Sequence, residues 1–261
     1  MAVTCMTRAM RGLALGAVLS GAACASPQAP TAPSAVTPAP TGPAVRVLML
    51  TATAGFRHDS IATARQVMAG LAATTGEFTI SATEDLALLS ATNLAAFDVV
   101  FFANTSGELP LTADQKIALL DFVTAGKGFI GTHSATDTLY DWPDYGRLVG
   151  AYFKEHPWTQ TGTVIVEDAS HPATAGLGDR LSAMEEFYTF RDNPRPRVQV
   201  LLRLDAASVG ATGDYPLAWA QSFGSGRTYY NALGHFDSTW TDRRFQQQLL
   251  GAIRWVARAG P

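Results

Sequence analysis

Residues 97–103 read FDVVFFA and residues 127–132 read KGFIGT. Both runs are short and apolar, and both contain β-branched and aromatic residues, which is typical of buried strands. Between them, Thr112 is placed to cap a helix that runs through Val123, with its apolar residues on one face. A strand, a helix and a second strand in this order predict a parallel pair of strands joined by a crossover helix.

The same alternation extends towards the N-terminus. An apolar run at 45–50 (VRVLML) predicts a strand, a helix begins near Asp59 or Ser60, and another strand is expected at 78–82. This order predicts an α/β domain with a mainly parallel sheet and helices on both of its faces. Towards the C-terminus we expect strands at 161–167, 198–203, 216–222 and 227–232 and a closing helix at 242–257.

Composition limits the classes of function. The chain has 261 residues and a formal charge of −3, and removal of residues 1–23, which contain Arg8 and Arg11 but no acid, leaves −5. A mildly acidic protein is not expected to bind nucleic acid. The two cysteines, Cys5 and Cys24, both precede the predicted domain. The domain therefore has no disulfide, no thiolate metal site and no cysteine nucleophile.

The N-terminal residues are typical of an export signal. Two arginines precede an apolar run at 12–23, which is too short to span a bilayer as a stable helix and which ends in small residues directly before Cys24. We interpret 1–24 as the signal peptide of a lipoprotein in which Cys24 is lipidated. Cleavage at the A-x-A site of 23–25, which would give a soluble secreted protein, is the alternative.

Residues 25–44 consist almost entirely of proline, alanine, threonine and serine. Such a segment cannot bury a core and favours extended conformations, so we interpret it as a linker. The folded domain is expected at 45–258, in the periplasm or elsewhere in the bacterial cell envelope. Its contact with the membrane would be the lipid anchor alone.

Polar side chains follow several predicted strands. His58 follows the first strand, His133 follows KGFIGT, and His235 follows one of the late strands. Because the carboxyl ends of parallel strands lie at one edge of a sheet, we expect these three histidines to share a functional site, as catalytic groups or as ligands of a divalent metal such as zinc. His156 is a further candidate for binding substrate.

Other polar and aromatic residues extend this site. Glu185 and Glu186 are adjacent within an apolar segment, where one carboxylate could orient a histidine, bind a metal or act as a base, although a solvated pair is an equal alternative. Taken together, the remaining candidates for substrate binding offer aromatic faces and hydroxyl or carboxylate groups, which suit sugar rings. Such residues are also common in packed loops, which is the alternative. The candidates are Asp137, Tyr140, Trp142 and Tyr188.

Several motifs in order resemble the ThuA-like, or trehalose-utilisation, family across almost the whole domain. The resemblance implies a three-layer sandwich with a mainly parallel sheet, similar to flavodoxin-like proteins and class I glutamine amidotransferases. The motifs include GFRHDS, GKGFIGTHSATDTLYDWPDYGRLVGAYFKEHP, EEFYTFRDNPR and YPLAWAQSFGSGRTYYNALGH.

The resemblance also bears on the reaction. In the amidotransferases a cysteine follows a strand within G-x-C-x-G, and the matching position here is His133. Thioester chemistry on glutamine is therefore excluded, and Ser134 is only a weak candidate nucleophile. The family's link to disaccharides, including 3-keto sugars, favours a hydrolase or lyase acting on a small carbohydrate. A non-catalytic module that binds a carbohydrate or metabolite is the alternative.

Overall fold

The computed structural model describes residues 1–2 and 44–258. Within them, nine strands form one sheet in the order β2-β1-β3-β4-β9-β8-β7-β5-β6. The strands are β1 (Val45–Leu50), β2 (Phe78–Thr83), β3 (Val99–Ala103), β4 (Gly128–Thr132), β5 (Phe153–Val166), β6 (Arg180–Phe190), β7 (Gln199–Leu204), β8 (Pro216–Phe223) and β9 (Gly226–Asn231).

Helices connect the strands of the first half of the domain, as the sequence predicts. Thr112 caps its helix through a capping box, in which Thr112 and Gln115 each satisfy the other's backbone N–H. The helices are α1 (Ile61–Thr75), α2 (Ala91–Leu94), α3 (Ala113–Thr124), α4 (Pro143–Val149), α5 (Asp237–Thr241) and α6 (Arg243–Val256).

The prediction of a mainly parallel sheet is confirmed for only half of it. Strands β2, β1, β3, β4 and β9 are parallel to their neighbours in that order, whereas the pairings among β9, β8, β7, β5 and β6 are antiparallel. For β8 and β9 the physical reason is the length of their connection. Only Gly224 and Ser225 separate β8 from β9, so these strands form a hairpin, whereas a parallel pair needs a crossover of a dozen or more residues. The three-layer arrangement stays a prediction.

The parallel half supplies the centre of the core. Every residue of β3 and β4 is buried, which is the burial expected of central parallel strands. Helix α6 contacts both β4 and β9 and buries Phe245, Leu249 and Ile253. The carboxyl ends of β1, β3, β4 and β9 are thereby fixed side by side at one edge of a rigid sheet.

The interpretation of the N-terminal region falls almost wholly outside the described residues. Cys24, and all of the 25–44 segment except Ala44, lie among the residues that the structure does not describe, so the signal peptide, the lipidation site and the linker stay predictions. Among the described residues, no helix combines the length and hydropathy that crossing a membrane requires.

Candidate metal centre

The carboxyl edge of the parallel strands brings the three predicted histidines together. His58 lies in the connection after β1, His133 directly follows β4, and His235 lies four residues after β9. The ring centroids of His58 and His133 are 4.5 Å apart, and those of His58 and His235 are 5.1 Å apart. The convergence expected from strand order is therefore confirmed.

Ring nitrogens of these histidines meet at short distances. The Nε2 atom of His133 lies 3.0 Å from Nε2 of His58 and 3.3 Å from Nδ1 of His235. Glu186, on β6, adds a carboxylate whose Oε2 lies 2.9 Å from Nδ1 of His235 and 3.8 Å from Nε2 of His133. One ligand atom from each of these four residues lies within 4.8 Å of all the others.

This donor set fits a divalent metal. Three imidazole nitrogens and one carboxylate oxygen are ligands that Zn²⁺ accepts, and a tetrahedral site with bonds of about 2.0–2.1 Å separates its ligand atoms by about 3.3 Å. The observed separations of 2.9–3.8 Å between the named atoms bracket that value. The His58, His133, Glu186 and His235 group could therefore hold one metal ion.

The opposite ring nitrogens are held by partners outside the group. Nδ1 of His133 donates a hydrogen bond to the carbonyl oxygen of Ala232 at 2.9 Å, which leaves the lone pair of Nε2 pointing towards the other ligands. Nδ1 of His58 lies 3.4 Å from the hydroxyl of Ser134. Outer contacts of this kind fix the tautomer and the orientation of metal-binding histidines. Ser134 itself is fully buried.

Burial keeps two of the imidazoles neutral. Burial, reinforced by the charge of His235, lowers the pKa of His58 to about 4. Burial likewise holds the pKa of His133 well below its usual value. For Glu186 burial acts to raise the pKa, but the hydrogen bond from His235 and the charges of the nearby histidines outweigh it, so the pKa is lowered. Neutral imidazoles beside an ionised carboxylate are the protonation states that metal binding needs.

His133 occupies a sharp turn at the end of its strand. Its φ angle is +47°, a left-handed conformation that is uncommon for residues other than glycine. Gly131, two residues earlier, lies so close to Ala135 and Tyr230 that a Cβ atom there would be only 3.1–3.2 Å from their side chains. The turn thus holds the His133 side chain at the carboxyl end of β4.

A cavity of about 280 Å³ opens beside the histidine and glutamate group. Its lining includes Phe56, Asp137, Phe153, His156 and Tyr188. This volume lies near the lower end of the range for small-molecule sites, roughly 300–1,000 Å³, so the cavity suits one small ligand better than a polymer.

Comparison with known proteins identifies the family. The sequence matches the ThuA family, described as trehalose utilisation, over residues 46–256. This chain belongs to the ThuA family. No curated protein matches its sequence.

Solved structures of other ThuA-like proteins share the fold. One from Bacteroides uniformis is 24% identical with a TM-score of 0.70, and the match covers 85% of this chain and 95% of that protein. One from Parabacteroides merdae is 18% identical with a TM-score of 0.68, and the match covers 82% of this chain and 90% of that protein. At these identities the likeness concerns the fold alone.

Three of the predicted substrate-binding residues line the cavity of this ThuA domain. They are Asp137, His156 and Tyr188. Tyr140 supports one of them, because its hydroxyl donates a hydrogen bond to Oδ1 of Asp137 at 2.7 Å. The Nδ1 atom of His156 lies 3.6 Å from Oε1 of Glu186, and the hydroxyl of Tyr188 lies 2.9 Å from Nε2 of His133.

Two predicted site residues of the ThuA domain have other positions. Trp142, expected to bind substrate, is buried and stacks on Tyr145, with ring centroids 5.9 Å apart. Glu185, expected as a candidate catalytic carboxylate, accepts hydrogen bonds from the backbone N–H groups of Gly234 and His235. Both side chains point into the packed interior, and neither lines the cavity.

Two aromatic residues that line the cavity, Phe56 and Phe153, were not predicted from the sequence. Phe56 is 66% exposed, an unusual exposure for so large an apolar side chain. Its place in the GFRHD segment, two residues before His58, was a signal that could have identified it. Phe153 had no such signal, because it lies in a part of β5 for which no strand was predicted.

Proposed function

We propose that this ThuA-family chain is a metal-dependent enzyme that acts on a sugar or glycoside, with a 3-keto-glycoside as the favoured substrate. The observation that carries the proposal is the meeting of His58, His133, Glu186 and His235 around one point. A neutral imidazole nitrogen has a single lone pair, yet Nε2 of His133 has two other ring nitrogens and a phenol within 3.3 Å. A shared cation would satisfy all of these nitrogens together.

The metal's contribution is defined by general chemistry. A zinc-like ion held by these four residues would take a fifth ligand, and its Lewis acidity would then polarise a carbonyl oxygen or lower the pKa of a water molecule. The chain's own residues would do the remaining work. His58, His133, Glu186 and His235 bind the ion, while Ser134 and the carbonyl of Ala232 orient two of the rings.

The cavity supports a carbohydrate as the substrate class. Its apolar faces come from Phe56 and Phe153, which suit the C–H faces of a sugar ring. Its polar wall includes Asp137, whose carboxylate can accept hydrogen bonds from sugar hydroxyls while Tyr140 holds it in place. Burial raises the pKa of Asp137 despite the hydrogen bond from Tyr140. Apolar faces together with a hydroxyl acceptor in one small cavity suit a single sugar ring.

The reaction we propose is a β-elimination from a 3-keto-glycoside. A base removes the proton at C2, and the electron pair passes into the carbonyl group to form an enolate. The pair then returns to form the C1=C2 double bond while the bond from C1 to the glycosidic oxygen breaks. The leaving oxygen takes a proton, so that an unsaturated ketone and an alcohol are released without an oxidant or reductant.

His156 is the residue we assign as the base. It lines the cavity, its imidazole is partly exposed, and it stands beside Glu186 without being one of the four clustered donors. A histidine in this position can take the C2 proton and pass it to the leaving oxygen, as general acid–base catalysis requires. Tyr188 also lines the cavity, and its hydroxyl, which lies 2.9 Å from Nε2 of His133, would donate a hydrogen bond to an oxygen of the bound ring once a cation occupies that nitrogen.

The test uses protein that carries no histidine tag. Elemental analysis is expected to find about one equivalent of a divalent metal in the wild type and much less in His235→Ala, and the wild type is expected to convert a 3-keto-glycoside to alcohol and unsaturated ketone. Saturable sugar binding without any product would instead support a non-catalytic binding module. Absence of metal after incubation with Zn²⁺, Mn²⁺ and Ni²⁺ would contradict the proposal.

We also propose that the enzyme works in the bacterial cell envelope, anchored by a lipid on Cys24. The support is the sequence of 1–24 alone. The wild type expressed in a bacterial host is expected in the membrane fraction and labelled by a radioactive fatty acid, and Cys24→Ser is expected to lose the label. The matched control is Cys5→Ser, which should keep it. Wild-type protein released in soluble form without label would indicate ordinary secretion.

A further inference from the structure

Glu185 is a buried carboxylate that the proposed reaction does not use. Its side chain is fully buried, although the adjacent Glu186 faces the cavity. Successive side chains of a strand point to opposite faces, so one strand presents the two carboxylates in different directions. Burial of a charged group is costly unless it is well hydrogen-bonded, which makes the partners of Glu185 informative.

All three donors to Glu185 belong to the segment that carries His235. Its Oε1 accepts a hydrogen bond from the backbone N–H of Gly234 at 3.0 Å, and its Oε2 accepts one from the N–H of His235 at 3.3 Å. The hydroxyl of Thr239, in α5, donates a third hydrogen bond to Oε1. The carboxylate therefore bridges the backbone of a proposed ligand and the helix that follows it.

The backbone carbonyl group of Gly234, in the same segment, is also held by hydrogen bonds. The oxygen of Gly234 accepts hydrogen bonds from Nδ2 of Asn104 at 2.8 Å, from Oγ of Ser60 at 3.1 Å and from Nε1 of Trp240 at 2.9 Å. Gly234 has a φ angle of +129°, a conformation that residues with a side chain rarely adopt. The backbone N–H of Gly234 donates to Glu185, so Glu185 completes the set of contacts that hold this residue.

We propose that Glu185 is a positioning residue, which holds the backbone of Gly234 and His235 so that Nδ1 of His235 lies at the distance from His58 and His133 that a metal requires. The inference rests on the proposed function of the four-residue group. The two adjacent glutamates thus act on one histidine in different ways, since Glu186 contacts its ring and Glu185 its backbone.

Glu185→Gln is the most informative variant, because the glutamine side chain has the same shape as that of glutamate. Its amide carries one acceptor oxygen and one donor NH₂ group, whereas the carboxylate offers acceptors to all three donors. In either orientation the NH₂ group faces a backbone N–H, of Gly234 or of His235. Two donors in contact repel each other, so the variant is expected to displace His235 while the fold is retained.

The measurement is binding of Co²⁺ to the whole protein, followed by titration and by the visible absorption spectrum. Loss of outer contacts to metal ligands typically weakens metal binding by about 10–100-fold, and we expect a loss in this range for Glu185→Gln together with a changed spectrum. The matched control is Glu155→Gln on the exposed part of β5, which should keep the wild-type affinity and spectrum.

A second pair of variants keeps the inference testable if Glu185→Gln does not fold. Thr239→Val removes one of the three donors and is expected to weaken Co²⁺ binding roughly two- to tenfold, while Thr239→Ser, which keeps the hydroxyl, should restore it. A folded Glu185→Gln with wild-type affinity and spectrum would overturn the positioning role alone, as would wild-type affinity in Thr239→Val. A wild type that does not bind Co²⁺ would overturn the proposed metal site and this inference with it.

Discussion

Saturation with a divalent metal is expected to raise the melting temperature (Tm) of this protein by about 8–16 °C. A ligand that binds only the folded state at 1,000 times its dissociation constant adds about 4.1 kcal/mol to the free energy of unfolding. For a domain of this size each kcal/mol corresponds to a shift of about 2–4 °C. The unfolded chain cannot bring together His58, His133 and His235, which are far apart in sequence, so the folded state gains nearly all of this energy.

The measurement is thermal unfolding followed by circular dichroism, in EDTA and in excess Zn²⁺, Mn²⁺, Ni²⁺ or Co²⁺. In His235→Ala one ligand is lost. If affinity falls about 1,000-fold, the same metal concentration adds only about 0.4 kcal/mol, or roughly 1 °C. His156→Ala is the matched control, because His156 lines the same cavity and is not a proposed ligand. Equal shifts in the wild type and in His235→Ala would mean that the metal binds elsewhere.

The position of the histidines could be predicted because it depends on topology rather than on side-chain packing. Apolar runs such as 97–103 mark central strands, and parallel strands place their carboxyl ends at one edge. Strand order alone therefore predicts that His58, His133 and His235 converge, and their ring centroids lie 4.5–5.3 Å apart. It could not show which atoms meet, because ring orientation is fixed by contacts such as the one from His133 to the carbonyl of Ala232.

Strand β6 was not predicted, for a physical reason. A half-buried strand is recognised by alternation of apolar and polar residues. Here an inward-facing position is occupied by Glu185, which is fully buried, so the alternation is broken at the pair of glutamates beside the histidines. The donors that make this burial tolerable come from Gly234, His235 and Thr239, about 50 residues later in the chain. The residues next to Glu185 in the sequence therefore give no indication of these partners.

The same limit explains why the two glutamates could not be told apart. Alternation along a strand places Glu185 and Glu186 on opposite faces, but it does not say which face meets the histidines. Trp142 illustrates a related limit of the sequence. An aromatic residue between acids is suited to binding a sugar, yet Trp142 is buried against Tyr145. Burial of an individual side chain is decided by tertiary packing.

His133→Ala is expected to abolish metal binding and also to destabilise the metal-free protein by about 3 kcal/mol. His133 is fully buried, so removal of its ring leaves a void, and large-to-small substitutions in cores cost about 2–5 kcal/mol. The ring also donates a hydrogen bond to the buried carbonyl of Ala232. Loss of that donor leaves an unpaired acceptor, which by itself costs about 1–3 kcal/mol.

Urea unfolding in EDTA measures the loss of stability separately from the loss of metal binding, because no metal then contributes to the free energy of unfolding. His235→Ala is the control. Its side chain is partly exposed, and we expect its metal-free stability to lie within about 1 kcal/mol of the wild type although its metal binding is lost. If both variants lose the metal and only His133→Ala loses stability, His133 is both a ligand and a part of the core. A His133→Ala protein with wild-type stability in EDTA would contradict the assignment of His133 to the core.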